Sequence, residues 1–147
     1  MFLRIEAFIW NLIRKTPSNK KLYRLFEKVD KIVIKEDGVT KNRALSKKVV
    51  LVIEDLTKIK RFQNLLEIIE PGIGGACCCS GDFALELQAK GKICATLGLH
   101  YGESIRYEYW NSDAQLAKNM ELLEFLHQEG LPEPLMLFKG EIHNINN

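Results

Sequence analysis

The sequence has no apolar run that approaches the roughly 20 residues needed to cross a bilayer, which excludes an integral membrane protein. It also has no low-complexity tract and no internal repeat, and its ten Gly and four Pro are too few for a disordered or collagen-like chain. No Gly-x-Ser-x-Gly elbow marks a hydrolase of that class. A length of 147 residues predicts one domain with one core.

Cysteine is scarce and unevenly placed. Cys77, Cys78 and Cys79 are adjacent, and Cys94 is the only other one. Adjacent cysteines make a poor disulfide framework because neighbouring Cβ atoms point apart. The first ten residues, MFLRIEAFIW, carry charges inside their apolar run and show no small-residue cleavage site, unlike a secretory signal. Reduced thiols without an export signal predict a cytoplasmic protein.

Charge is unevenly distributed along the chain although the net charge is only +2. Residues 1–61 carry 16 Lys and Arg against 7 Asp and Glu (+9), whereas residues 62–147 carry 5 against 12 (−7). Such asymmetry indicates either an acidic partner such as nucleic acid or two halves that attract each other. The basic half lacks the glycine and aromatic residues that RNA-binding segments interleave with Lys and Arg, so nucleic-acid binding ranks third among the functions. Its candidate residues are Lys20, Lys21, Arg24, Lys28, Lys47 and Lys48.

Apolar residues recur at helical spacing in four segments. The first, residues 3–15, stops near Pro17, and its mixed polar face favours packing on a core over lying on a membrane. The other three begin at residues that commonly cap helices. The predicted caps of the second, third and fourth segments are Ser18 or Asn19, Asp55 or Thr57, and Asp113. The residues predicted to be buried are Leu22, Leu25, Phe26 and Val29 in the second segment, Ile59, Phe62, Leu66 and Ile69 in the third, and Leu116, Met120, Leu123 and Leu126 or His127 in the fourth.

Alternating and β-branched segments predict an α+β fold, an antiparallel sheet of about four or five strands with helices packed on one face. Residues 1–147 form a single domain, with a basic helical part over 1–48 and the sheet and C-terminal helix over 49–147. Residues 36–48 are predicted to be a loop, and the helix capped by Asp55 or Thr57 to end at Pro71-Gly72. The predicted strands are 31–35, a buried strand 49–53, a meander of 82–89, 93–100 and 104–110, and a short edge strand 135–138.

The register of the meander follows from the rule that opposed residues share a face. Keeping apolar residues together requires three-residue loops at 90–92 and 101–103, because a two-residue loop at Lys90-Gly91 sets Leu87 against Cys94. The predicted pairs are Phe83–Leu99, Leu85–Leu97, Leu87–Ala95, Leu99–Ile105, Leu97–Tyr107 and Ala95–Tyr109. The opposite side of the sheet, here called the polar face, has the rows Asp82–His100–Ser104, Ala84–Gly98–Arg106, Glu86–Thr96–Glu108 and Gln88–Cys94–Trp110.

The polar face is the first candidate functional surface. Arg106 and Trp110 are of the types most enriched at binding hot spots. The alternative is that Arg106 pairs with a carboxylate such as Glu86 or Glu108 while Trp110 covers a helix end. Because no convincing catalytic motif is present, this face favours a non-enzymatic, inhibitor-like protein-binding module whose partner is another protein or a second copy of the chain in a homodimer. The candidate binding residues are Asp82, His100, Arg106, Glu108 and Trp110.

The cysteine run is the second candidate. Cys77 and Cys79 have a spacing that can chelate a metal such as zinc, with His100 and Asp82 as further ligands if the preceding chain folds back over that end of the hairpin. The same residues could instead form a cysteine nucleophile, or the cysteines could be small buried core residues. The row with Ser104 also contains the residue types of a hydrolase triad, but this serine lies on a strand rather than a strained turn.

The sequence between residues 75 and 132 carries a composite motif. It reads Cys77-x-Cys79-x-Gly81-Asp82, then Gly98-Leu99-His100-Tyr101-Gly102-x-Ser104-Ile105-Arg106-x-x-x-Trp110-x-x-Asp113-x-x-Leu116. The chain thereby resembles a recurrent group of small uncharacterised bacterial proteins, a resemblance that implies a bacterial, soluble context and no particular reaction. In size and layout the chain is also similar to immunity proteins of bacterial toxin systems, an analogy without a shared motif.

Overall fold

The computed structural model describes residues 15–70 and 80–143 of the chain. The chain contains both helices and an antiparallel sheet, so the predicted α+β fold is confirmed. The helices are α1 (Asn19–Phe26), α2 (Leu56–Leu65), α3 (Asn119–Gln128) and α4 (Glu133–Phe138). The strands are β1 (Lys31–Glu36), β2 (Val39–Thr40), β3 (Arg43–Ala44), β4 (Val49–Ile53), β5 (Phe83–Ala89), β6 (Lys92–His100), β7 (Ser104–Tyr107) and β8 (Ala114–Gln115). Residues 3–14 of the first predicted helix, the helix end at Pro71-Gly72 and the cysteine run lie outside the described residues.

Six strands form one antiparallel sheet in the order β4-β1-β5-β6-β7-β8, slightly more strands than the sequence predicts. Strands β2 and β3 form a separate hairpin in which Thr40 pairs with Arg43. Its two turn residues, Lys41 and Asn42, both have positive φ, the conformation that matches the twist of a tight hairpin. The prediction of a loop over residues 36–48 is therefore wrong where these two strands occur.

The apolar register of β5, β6 and β7 is confirmed. The loop that produces it is not the predicted one, since Ala89 pairs with Lys92 across the two-residue turn Lys90-Gly91. A bulge then shifts the register, so that Cys94 is the extra residue and Leu87 pairs with Ala95. The tight turn and the apolar register coexist because the bulge absorbs one residue.

Strand β7 ends at Tyr107, three residues before its predicted end. The Trp110 N–H donates to the Tyr107 carbonyl at 2.9 Å, so the chain turns away from the sheet here. The predicted pair Ala95–Tyr109 and the placement of Glu108 and Trp110 on the polar face are therefore wrong, whereas the predicted pair Glu86–Thr96 is confirmed.

Two of the three predicted helix caps are confirmed. The Ser18 hydroxyl accepts the Lys21 N–H, and the Asp55 carboxylate accepts the Lys58 N–H. Helix α2 ends at Leu65, so Ile69 is not part of its buried face and is 47% exposed.

The prediction that Asp113 caps a helix is wrong. Strand β8 follows Asp113 directly and pairs with β7, and α3 begins only at Asn119. The buried face of α3 comprises Leu122, Leu123, Phe125 and Leu126, while His127 is exposed.

The predicted edge strand over residues 135–138 is also wrong, because this segment forms α4. Pro134 lies in the first turn of this helix, where its missing N–H costs nothing and its fixed φ suits helical backbone. Glu133 in the same turn complements the positive end of the helix.

The helices pack on the apolar face of the sheet. Phe62 of α2 contacts Phe26 of α1 and Phe125 of α3, with ring centroids 6.4 Å and 6.1 Å apart. These rings belong to the same hydrophobic core as Leu85 and Leu97, which are fully buried. No helix among the described residues is long and apolar enough to cross a membrane.

Candidate functional site

His100, the last residue of β6, lies in a narrow slot at the end of the sheet. It is 3% exposed. A methyl group on Gly81 would lie 3.0 Å from the imidazole Nε2, and one on Gly98 would lie 3.5 Å from it. Gly81 also has φ of +92°, a conformation that L-residues with side chains rarely adopt. Glycine at position 81 therefore leaves room for the ring, whereas a methyl group at position 98 would be in ordinary contact with it.

Asp82 links this slot to the turn between β6 and β7. Its N–H donates to the Leu99 carbonyl at 2.8 Å, and its Oδ2 accepts the Tyr101 N–H at 2.6 Å. Tyr101 has a positive φ of 52°, so the carboxylate fixes a turn residue in an uncommon conformation. Burial raises the pKa of Asp82, and this effect outweighs the Tyr101 N–H and nearby His100, which lower it.

Arg106 of β7 and Asp113 form a two-pronged ion pair. The arginine Nε lies 2.8 Å from Oδ1 and its Nη2 lies 3.0 Å from Oδ2. The expected carboxylate partners, Glu86 and Glu108, are not the ones used in this pair; Glu86 accepts the Lys35 Nζ at 3.0 Å. The pair ties β7 to the segment that leads into β8.

The surroundings of His100 disfavour the charged form of its imidazole and lower its pKa. Burial lowers its pKa, and so does the positive charge of Arg106, whereas Asp113 and Asp82 act in the opposite direction with smaller effects. The structure thus brings together Asp82, His100 and Arg106 as the sequence predicts, and it adds Asp113. A neutral, buried imidazole can accept a proton or ligate a metal ion.

The polar face is closed at its centre and is not the open docking surface that the sequence predicts. The buried polar residues are Glu86, Thr96, His100 and Asp113, and the first three of these belong to the face. The β2–β3 hairpin covers part of it, since a methyl group on Gly98 would lie only 2.8 Å from Val39 Cγ2.

Trp110 is wrongly predicted as a surface anchor. It is 3% exposed and belongs to the hydrophobic core, where it packs edge-on against Tyr107 with centroids 5.7 Å apart. Its backbone forms a parallel bridge with Lys15, which therefore lies in extended backbone rather than at the end of the predicted helix. Glu108 is half-buried in the turn after β7.

Cys77 and Cys79, the predicted metal ligands, lie outside the described residues. Among residues 15–70 and 80–143, no three His, Cys, Asp or Glu side chains are arranged to hold a metal ion. Gly81, only two residues beyond Cys79, nevertheless lies directly against His100. Cys94 is exposed at the bulge of β6.

Five of the six basic residues predicted for nucleic-acid binding are exposed, and Lys21 is half-buried. Lys20, Arg24 and Lys28 are exposed, as are Lys47 and Lys48. Other cations of this half pair with the acidic half, as in Lys35–Glu86 and Lys58–Glu129. The charge asymmetry thus partly reflects attraction between the two halves of the chain.

Strand β4 carries an apolar surface, although the sequence predicts that this strand is buried. It lies at the edge of the sheet, and its Val49 and Val52 side chains are 47% and 44% exposed. An apolar run is typical of a strand covered on both faces, and nothing in residues 49–53 alone distinguishes such a strand from an edge. Leu45 before β4 and Leu56 after it are also exposed.

The hydrogen-bonding pattern shows which backbone groups of β4 point outward. Glu36 N–H donates to the Lys48 carbonyl, so Val49 faces Lys35 as a non-hydrogen-bonded pair. A bulge follows, after which Val52 faces Val33 in the same manner. The N–H and C=O groups of Val49 and Val52 therefore point away from β1, and no described residue pairs with them.

The opposite edge of the sheet is covered. Ile69 N–H donates to the Gln115 carbonyl, Ala117 N–H donates to the Glu67 carbonyl, and Ile68 bridges Leu116. The segment 67–69 thus shields β8, and in the described part of the chain β4 is the edge of this sheet that stays open.

Comparison with known proteins yields no relative: no family model matches the chain, and no curated protein or solved structure matches it significantly.

Proposed function

We propose that this protein is a non-enzymatic protein-binding module that accepts an extended segment of another polypeptide as an additional strand along β4. The observation that carries the proposal is the outward-pointing backbone of Val49 and Val52 on an exposed apolar edge. Main-chain hydrogen bonds to such an edge supply affinity, and side chains on alternate positions supply specificity.

The neighbouring surface supports an apolar partner segment. Leu45 precedes β4 in the sequence and Leu56 follows it, and they are 49% and 67% exposed, so apolar side chains are also exposed in the segments on both sides of the strand. Solvent-exposed edges of this kind are usually blunted by charges within the strand, and Val49–Ile53 contains none. The cytoplasm, where the adjacent cysteines would stay reduced, is the location that we propose for this module.

Selection from a phage-displayed library of random peptides tests strand addition, because such a library samples many alternating patterns of apolar residues. We expect peptides with alternating apolar residues to be enriched on the wild-type protein. Val52→Pro removes one outward N–H while leaving the ladder to β1 intact, so it should abolish their binding. Val52→Thr keeps the N–H and the β-branched shape and is the matched control. Failure to enrich any peptide, or binding that survives Val52→Pro, would contradict the proposal.

A second candidate function is a zinc-class metal site formed by Cys77, Cys79, His100 and Asp82. The proximity of Gly81 to the imidazole Nε2 favours it, because Gly81 is only two residues from Cys79 in the sequence. Burial of the imidazole suits a metal ligand better than a catalytic base, which must reach a substrate. Such a metal would hold the segment before β5 on the sheet.

Native mass spectrometry of the reduced protein, purified without a chelator or an affinity tag, tests this second function. A stoichiometric metal adduct that disappears in Cys79→Ser and persists in Cys94→Ser is the expected result. Cys94 is the appropriate control because it is an exposed thiol near the β5–β6 turn, at the end of β6 opposite to His100. A metal-free wild-type protein that takes up no added Zn²⁺ would remove the metal site.

A further inference from the structure

We propose that the segment that pairs with β4 is the β4 strand of a second copy of this chain, arranged antiparallel about a two-fold axis. This inference rests on the proposed function and names the partner. A two-fold pairing uses the same surface on both copies, so the strand must be complementary to itself. Backbone spacing, side-chain placement and charge each meet that requirement.

The bulge in β4 gives its outward-pointing N–H and C=O groups the spacing of an ordinary strand. Val49 and Val52 oppose Lys35 and Val33, which are two residues apart on β1. The outward groups of the two valines are therefore spaced by about 7 Å, as in an ordinary strand, although the valines are three positions apart in the sequence. A second antiparallel strand can bond to both, with Val49 of each copy exchanging N–H···O=C bonds with Val52 of the other.

The same register places apolar side chains together. Val49 and Val52 lie on one face of the sheet, because their partners Lys35 and Val33 do. Across the two-fold axis each exposed valine then faces the other valine of the second copy. β-branched residues in directly opposed positions are favourable cross-strand pairs. The pairing covers part of two large apolar side chains that the single copy exposes.

The charges at the ends of the strand fix the antiparallel direction. Lys47 and Lys48 precede β4, and Glu54 and Asp55 follow it. Extending the register outward sets Lys47 of each copy opposite Glu54 of the other, whereas parallel pairing sets like charges side by side. Glu54 lies 3.3 Å from Lys31 in an exposed pair, and Lys47 has no ion pair within the described residues. The acidic end can therefore accept the second lysine.

Sedimentation velocity on the full chain tests the second copy. Wild-type protein should dimerise reversibly, and Lys47→Glu or Glu54→Lys alone should weaken dimerisation by about tenfold or more, because each places like charges together. An equimolar mixture of the two variants should dimerise again, since each unlike pair is then restored. Lys60→Glu, at an exposed position on α2, changes the net charge by the same amount as Lys47→Glu and should have no effect on dimerisation.

The possible failures of the two proposals are distinct. A wild-type protein that remains monomeric at all concentrations, or a mixture of the two variants that fails to recover dimerisation, overturns the second copy as the partner. If the phage-selected peptides still bind and Val52→Pro still abolishes that binding, strand addition stands with a different partner. A dimer that survives Val52→Pro overturns β4 as its interface.

Discussion

At the scale of single residues, several residues of the motif between Gly81 and Asp113 belong to one structural arrangement. Gly81 makes room for His100, Gly98 makes room for Val39, and Asp82 fixes the turn that follows His100. Arg106 binds Asp113 through two nitrogen–oxygen contacts. His100 and Asp113 are buried, and the half-buried Asp82 and Arg106 hydrogen-bond to other residues of the chain.

The buried imidazole makes stability depend on pH. Burial lowers the pKa of His100 below its unfolded value of 6.5, so the native state favours the neutral ring. Its contribution to the free energy of unfolding is present above pH 6.5 and is lost as the pH falls through the lower native pKa. Chemical denaturation between pH 8 and pH 5 should therefore show falling stability in the wild type and a shallower fall in His100→Gln.

The exposed His127 provides the control for this experiment. His127→Gln should keep the wild-type slope. The contribution of Asp82 to the free energy of unfolding depends on pH in the opposite direction, because the pKa of Asp82 is raised and its contribution is lost as the pH rises. Asp82 is present in all three proteins. Equal slopes in wild type and His100→Gln would show that the native state does not disfavour the charged ring.

At the scale of elements, local sequence predicts the pairing of strands better than their ends. Apolar alternation is sufficient to align Leu85 with Leu97, because a one-residue slip would expose the whole face. The end of β7 is different, since residues 107–110 continue to alternate while the chain turns away. Asp113 could equally cap a helix or bind an arginine, and only the pairing of β8 with β7 decides between them.

The contact between the β2–β3 hairpin and the sheet can be tested by a double-mutant cycle. Gly98→Ala places a methyl group against Val39 and should lower the free energy of unfolding by about 1–3 kcal/mol. Because Val39→Ala removes the opposing methyl groups, the double variant should lose less than the sum of the two single losses. Urea denaturation of the four proteins measures the difference. Additive losses would mean that the hairpin does not rest on Gly98.

At the scale of the whole molecule, the two edges of the sheet differ in how the described residues cover them. Segment 67–69 covers β8, whereas no described residue pairs with the outer backbone groups of β4, and its Val49 and Val52 side chains are exposed. The sequence could not reveal this, because the order of strands depends on contacts between residues far apart in the chain, such as β1 with β5. The apolar composition of residues 49–53 is the same for a central strand and for an edge.

The most direct test of the open edge is amide hydrogen exchange, measured residue by residue by NMR over a series of protein concentrations. In dilute protein, the Val49 and Val52 amides should exchange rapidly, while those of Leu51 and Ile53, which face β1, should exchange slowly. At high concentration, the valine amides should become protected and the other two should not change. Protection of Val49 and Val52 already in dilute protein, or rapid exchange at every concentration, would contradict an edge that is open in one copy and paired in two.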